Sequence, residues 1–241
     1  MPDRVRVCVI AADGSPDELA RCRAVLDRDE RARAAALGSP WLRDRFTVAH
    51  GALRVLAGHA VGVPPSALVW RRGRHGKPTS DGPHTSLSYS GSLVAVAISR
   101  DRPVGVDIEH LPPGRDPVGL AARFFHPAEA RHVAAGADAG ERARRFTRLW
   151  VRKEAVVKAA GGRLWPNLAV AVHPDDVVAC VEPAGAYRVA DLVTPAGYRG
   201  AVASPGDAPY TVEFHPLTLA DVLCSDGSML ERMIDPPAPR C

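Results

Sequence analysis

Trp150-Val151-Arg152-Lys153-Glu154-Ala155-Val156-Val157-Lys158 is the run on which the reading of this chain turns. It belongs to a segment, about Glu141 to Ala160, in which Phe146, Leu149, Trp150 and Val157 recur at helical spacing, so the stretch predicts a long helix with one apolar stripe against a core. Glu154 falls within that stripe, where a carboxylate is costly unless paired or bound to a metal. The run also holds two of the three lysines in a chain with 31 basic residues. Where arginine is used almost everywhere, a retained ammonium marks a place for a compact, adjustable point charge. Glu154 and Lys158 equally fit a helix salt bridge at i, i+4, contributing roughly 0.2–0.5 kcal/mol.

Upstream, Gly105-Val106-Asp107-Ile108-Glu109 alternates as a strand does, with Val106 and Ile108 on one face and Asp107 and Glu109 on the other. The two carboxylates would stand about 7 Å apart along the strand. Their repulsion favours protonation of one or a bound cation, and an oxygen-only set suits Mg²⁺ with water or phosphate completing its shell. A polar strand face near a sheet edge is the alternative. The apolar run Leu93 to Ile98 and the turn Asp101-Arg102-Pro103 precede this strand and read as its hairpin partner.

The third lysine lies in Arg72-Gly73-Arg74-His75-Gly76-Lys77-Pro78, a loop in which backbone amides and cations can converge on phosphate. It lacks the Walker pattern, and a solvated basic turn fits as well. Ser86, Ser88 and Ser90 either offer hydroxyls to an anion or simply alternate on an exposed strand.

Further out, the chain predicts a strand at Val5 to Ile10, helices from about Asp17 to Leu26, from near Asp29 and from Leu42 to His59, and a short strand at Ala67 to Trp70. Leu111-Pro112-Pro113-Gly114-Arg115 reads as a boundary. Beyond it come a Phe124-Phe125-His126-Pro127 turn into a helix, the long helix, strands at Ala169 to Val172, Tyr187 to Val193 and Tyr198 to Ala203, and a short helix at Leu217 to Leu223. The expectation is an α/β (α+β) fold with an N-terminal subdomain at 1–110, a C-terminal one at 111–204, and a partly disordered extension at 205–241. The halves share a helix-then-strands plan without a residue-level repeat.

Composition narrows the function. A net charge of +4 and pI near 9.0 favour an acidic partner or a phosphorylated ligand. With 5% aromatic residues and no basic run interleaved with aromatics, a nucleic-acid platform is not expected. Five cysteines without a Cys-x-x-Cys pair argue against a zinc site or a disulfide framework. No segment approaches the roughly 20 apolar residues of a membrane span, so a reduced, cytoplasmic protein is expected. There is no Gly-x-Ser-x-Gly elbow and no Gly-x-Gly-x-x-Gly after the first strand, and His126 before Pro127 reads as a helix-entry residue.

Taken in order, these segments resemble the surfactin-type 4'-phosphopantetheinyl transferases over roughly residues 29–203. The family's Gly-x-Asp-x-Glu signature is matched by Gly105 to Glu109, its Trp-x-x-Lys-Glu-Ala-x-x-Lys signature by Trp150 to Lys158, its Gly-Lys-Pro element by Gly76 to Pro78, and its Arg-Phe-Phe-x-x-x-Glu segment by Arg123 to Glu129. The resemblance implies two similar α/β subdomains forming a pseudodimer with coenzyme A and Mg²⁺ between them. It implies Asp107, Glu109 and Glu154 as metal ligands. Arg33, Arg72, Gly76, Lys77, Pro78, Ser88, Tyr89 and Lys158 would line the coenzyme A site, with Glu154 and Lys158 catalytic. The activity implied is Mg²⁺-dependent transfer of phosphopantetheine from coenzyme A to a serine of an acidic acyl or peptidyl carrier protein, releasing adenosine 3',5'-bisphosphate. The enzyme would be a monomer serving fatty-acid, polyketide or nonribosomal-peptide assembly. One departure is Tyr89, where the family has a His that contacts the 3'-phosphate; a phenol cannot carry that positive charge, so weaker or rearranged 3'-phosphate binding is expected, with His75 or Arg74 as substitutes. The alternative function is a Mg²⁺-dependent nucleotide pyrophosphohydrolase, which a carboxylate trio with cations would also serve. A noncatalytic phosphate-binding module is the third.

Overall fold

A computed structural model describes residues 3–73, 77–79, 82–111 and 116–224. Strand β1 (Asp3–Ala11) is apolar on both faces, with Val5, Val7 and Val9 buried on one side and Cys8 and Ile10 on the other, as a central strand requires. Three helices follow, α1 (Pro16–Val25), α2 (Arg28–Ala35) and α3 (Pro40–Val61). Ser15 and Asp27 start the first two through capping boxes with Glu18 and Glu30, and the Ser39 hydroxyl accepts from the Leu42 amide to start the third. The strand expected at Ala67 to Trp70 is instead a 3₁₀ turn over Pro65–Ala67 running into irregular chain. Its Pro65 and Leu68 carbonyls are taken by the buried Arg54 guanidinium, at 3.2 and 3.0 Å, rather than by a neighbouring strand.

The chain continues through a two-residue ribbon, β2 (Arg71–Arg72) with β3 (Pro78–Thr79), into the hairpin β4 (His84–Ser90) and β5 (Leu93–Ser99), and β5 pairs antiparallel with β1. Strand β6 (Gly105–His110) lies where the sequence placed it but is not the hairpin partner of β5; it crosses to a second sheet and pairs antiparallel with β9. Helices α4 (Pro117–Phe124), α5 (Pro127–Ala134), α6 (Ala139–Ala160) and α7 (Leu164–Asn167) come next, then strands β7 (Val177–Val181), β8 (Ala184–Asp191), β9 (Tyr198–Pro205) and β10 (Tyr210–Leu217), and helix α8 (Leu219–Leu223). No strand forms at Ala169 to Val172, because side chains from α5 and α6 satisfy that backbone. The Val172 amide donates to Glu129, its carbonyl accepts from Arg152, and the Val170 carbonyl accepts from Lys153.

The sheet orders are β10-β1-β5-β4 and β6-β9-β8-β7. One plan is used twice: a strand, three helices of which the third has 22 residues, then a hairpin whose second strand pairs antiparallel with the first strand. Valines 5, 7 and 9 of one sheet pack against Val106, Ile108 and Val202 of the other, while α3 and α6 cover the outer faces. The layers therefore run helix, sheet, sheet, helix. Sheet membership does not follow the expected 1–110, 111–204 and 205–241 division. Strand β6 belongs to the second sheet, and β10, where only an extension was expected, pairs parallel with β1; residues 225–241 lie outside the described residues.

Candidate active site

Gly105 sets the geometry of the site. A β-carbon there would sit 2.0 Å from the Ala155 carbonyl and 2.3 Å from the Ala159 amide, so α6 lies directly on the backbone of β6. The strand's alternation then turns Val106 and Ile108 to the inter-sheet core and Asp107 and Glu109 to the helix side. The Lys158 ammonium meets Asp107 Oδ1 at 2.7 Å. The helix salt bridge to Glu154 is thus not made; Lys158 reaches across to the strand instead.

The alternating serines of β4 tie the two sheets together. Ser88 donates to Asp107 Oδ1 at 2.7 Å and Ser90 to Glu109 Oε2 at 2.6 Å. In return, Ser86 and Ser90 hydroxyl oxygens accept from the Val106 and His110 amides at 3.0 and 3.1 Å. Of the two edge strands, β4 supplies side chains where a backbone ladder would otherwise run. Ser88 therefore holds a carboxylate, and it is not part of the cavity wall.

That wall encloses about 500 Å³ and includes Arg33, Lys77, Pro78, Tyr89, Glu154 and Lys158. Burial, with the Asp107 carboxylate second and Glu109 adding to it against the opposing pull of Lys158, pushes the Glu154 carboxyl up to about 7. Lys77 donates to the Val104 and Ala159 carbonyls at 3.0 and 3.3 Å, and burial brings its ammonium down to about 8. Arg33 lies over the Phe46 ring at 5.3 Å, and the Tyr89 ring has the Arg45 guanidinium 5.2 Å from its centroid. Arg72 belongs to β2, with its backbone opposite Pro78. Gly76, with Arg74 and His75, lies outside the described residues.

Among the described residues, no three His, Cys, Asp or Glu side chains converge closely enough to make a closed metal site by themselves. The chemistry nevertheless fits a hard cation. Among the described residues the buried Asp107 Oδ2 has no hydrogen-bond partner, and burial, with the Asp107 and Glu109 carboxylates adding to it, disfavours a charge on Glu154, a cost that a divalent ion with outside oxygen ligands relieves.

Two buried ion pairs were not foreseen in the sequence. Lys153 meets Glu129 at 2.7 Å, both 1% exposed, and its ammonium stands 4.8 Å from the Phe125 ring centroid. Arg54 pairs with Glu30 at 2.5 Å and with Asp27, and Glu30 with His50 at 3.4 Å. The signal available for the second was Glu30 three residues after Asp27, a capping box that also hands a carboxylate to the core. His126 is a helix-entry residue, its Nδ1 accepting from the Ala128 amide at 3.3 Å.

The description "4'-phosphopantetheinyl transferase superfamily" belongs to the family model that matches residues 103–199, the span from the start of β6 into β9. The 4'-phosphopantetheinyl transferase HetI of Nostoc sp. is 32% identical over 214 residues, covering 86% of this chain and 90% of the relative. The chain belongs to the 4'-phosphopantetheinyl transferase family. Shorter matches include the 4'-phosphopantetheinyl transferase AcpT of Salmonella typhi, 33% identical over 118 residues (48% of this chain, 60% of the relative), and psf-1 of Bacillus pumilus, 32% identical over 102 residues (41% and 42%). In this phosphopantetheinyl transferase Cys8, Cys22 and Cys180 are buried and Cys224 is exposed. Among its described residues no helix is long and apolar enough to cross a membrane.

Proposed function

We propose that this transferase moves the phosphopantetheine arm of coenzyme A onto a serine of an acidic acyl or peptidyl carrier protein, with Mg²⁺, releasing adenosine 3',5'-bisphosphate. The observation that carries the reading is the stacking of α6 on β6, which sets Glu154 and Lys158 against Asp107 beside a cavity lined by Lys77 and Arg33. Asp107, Glu109 and Glu154 would hold the ion, which supplies Lewis-acid neutralisation of pyrophosphate charge.

The serine oxygen bonds to the phosphorus that bears the pantetheine arm, and the bond from that phosphorus to the bridging oxygen breaks. The serine proton goes to the Glu154 carboxylate, which lines the cavity where the carrier serine enters. The electron pair of the broken bond leaves on the adenosine bisphosphate, where Lys158 and Lys77 offset the growing negative charge. Arg33 and Tyr89 bind and orient the nucleotide end, and the enzyme works as a cytoplasmic monomer.

Incubation with coenzyme A, Mg²⁺ and an apo carrier protein, followed by intact-mass measurement, tests this. A carrier mass gain of one phosphopantetheine is expected, and its loss in Asp107→Ala and Glu154→Gln with the fold retained. Hydrolysed coenzyme A with an unmodified carrier would instead establish a pyrophosphohydrolase.

A further inference from the structure

Helix α7 sits at the rim of the cavity and turns two neighbouring side chains in different directions. Leu164 lines the cavity, while Trp165, the next residue, is 71% exposed. Its indole meets the Phe124 ring edge to face at 5.6 Å, and the Arg123 guanidinium lies 5.0 Å from the Phe124 centroid. We infer that this Trp165–Phe124 step, with Arg123 at its side, is the docking surface for the carrier protein, an inference that rests on the transferase reading above.

The mounting of α7 supports a binding role. Asn167 is buried, its amide nitrogen donating to the Arg163 and Glu182 carbonyls at 2.9 and 3.0 Å and its oxygen accepting from the Glu182 amide at 3.3 Å. A β-carbon on Gly162 would lie 2.3 Å from the Glu182 carbonyl, so the preceding turn is pressed against the same residue. The fold therefore fixes the backbone beneath an indole that it leaves in solvent. A rigid aromatic anchor lowers the ordering cost of association, and tryptophan and arginine are enriched at binding hot spots.

Position and charge select the occupant. A carrier serine has to reach the pantetheine-bearing phosphorus inside the cavity, and this step is one residue from the cavity wall. The other highly exposed large apolar side chains do not combine these features. Trp41 is covered on one face by Arg45 at 4.2 Å, and Val69 and Val193 are single aliphatic side chains. Arg123 makes no ion pair among the described residues, so its charge is available to an acidic partner.

Steady-state kinetics with an apo acyl carrier protein and an apo peptidyl carrier domain, together with the solution mass of the enzyme, test the surface. Trp165→Ala is expected to raise KM for whichever carrier is modified about tenfold or more, leaving KM for coenzyme A within about twofold, and Trp165→Phe to recover most of the loss. Arg123→Glu should raise the same carrier KM and weaken its dependence on salt. An unchanged carrier KM in Trp165→Ala, an equal rise in KM for coenzyme A, or a wild-type dimer that becomes monomeric in Trp165→Ala without a change in carrier KM would each overturn the inference. If the wild-type enzyme modified neither carrier, the transferase reading itself would fall, and the docking surface with it.

Discussion

Gly105 and Lys77 each carry a consequence that a single substitution or a pH scan exposes. With a β-carbon at Gly105 only 2.0 Å from the Ala155 carbonyl, the obstacle is backbone that cannot rotate away. Gly105→Ala should therefore lift α6 from β6, lengthen the Lys158–Asp107 contact, and remove most activity while costing about 1–3 kcal/mol of stability, the usual penalty of overpacking. Activity near wild type with an unshifted urea midpoint would contradict this. Lys77, at about 8 in the ligand-free protein because burial disfavours its charge, must be protonated to attract a pyrophosphate. Coenzyme A affinity should be level below pH 8 and fall up to about tenfold per pH unit above it. Calorimetric titrations at pH 7 and pH 9 with the same Kd would exclude Lys77 as an anion contact.

Elements were easier to read from the sequence than the partners they choose. The stripe Phe146, Leu149, Trp150, Val157 and the alternation of 105–109 identify helix and strand because each pattern is local. The pairing of β6 with β9 rather than β5 is not local; apolar alternation says that a strand has a buried face, not which neighbour supplies its hydrogen bonds. Strand β10 was missed because its mixed burial and its Pro216 blur the alternation. The segment at 169–172 misled for another reason, since its backbone is satisfied by side chains. Lys153 and Glu129, which join α5, α6 and that segment, are both buried, so Lys153→Met should cost about 3–5 kcal/mol by leaving a carboxylate unpaired. Adding Glu129→Leu should recover a large part of that loss. Equal destabilisation of the single and double variants in urea unfolding would show that the pair acts through packing alone.

At the scale of the molecule, two carboxyls make opposite demands on pH. Burial would raise Glu30, but hydrogen bonds from His50 and Arg54 outweigh it and hold the group at about 2, so it adds stability above its ordinary 4.5 that is lost as the pH falls towards 2. Glu154 runs the other way. Held at about 7, it keeps a proton in the folded chain that the unfolded chain releases near 4.5, so raising the pH between those values withdraws stability, on the order of 3 kcal/mol over the window. In the metal-free protein Glu154 therefore works against stability as the pH rises from 4.5 towards 7. A cation held by Asp107, Glu109 and Glu154 favours the ionised carboxylates and binds only the folded chain, so Mg²⁺ should raise Tm little at pH 5 and more at pH 7.5. In Glu154→Gln without Mg²⁺, Tm at pH 7.5 should exceed that of the wild type, because the penalty is gone while the Asp107–Lys158 pair remains. A thermal-shift series across pH 4–8 with and without Mg²⁺ reads all of these effects at once. Parallel profiles with and without the ion would remove the metal from this site, whereas a Glu154→Gln profile that follows the wild type would move the neutral-pH penalty to another group.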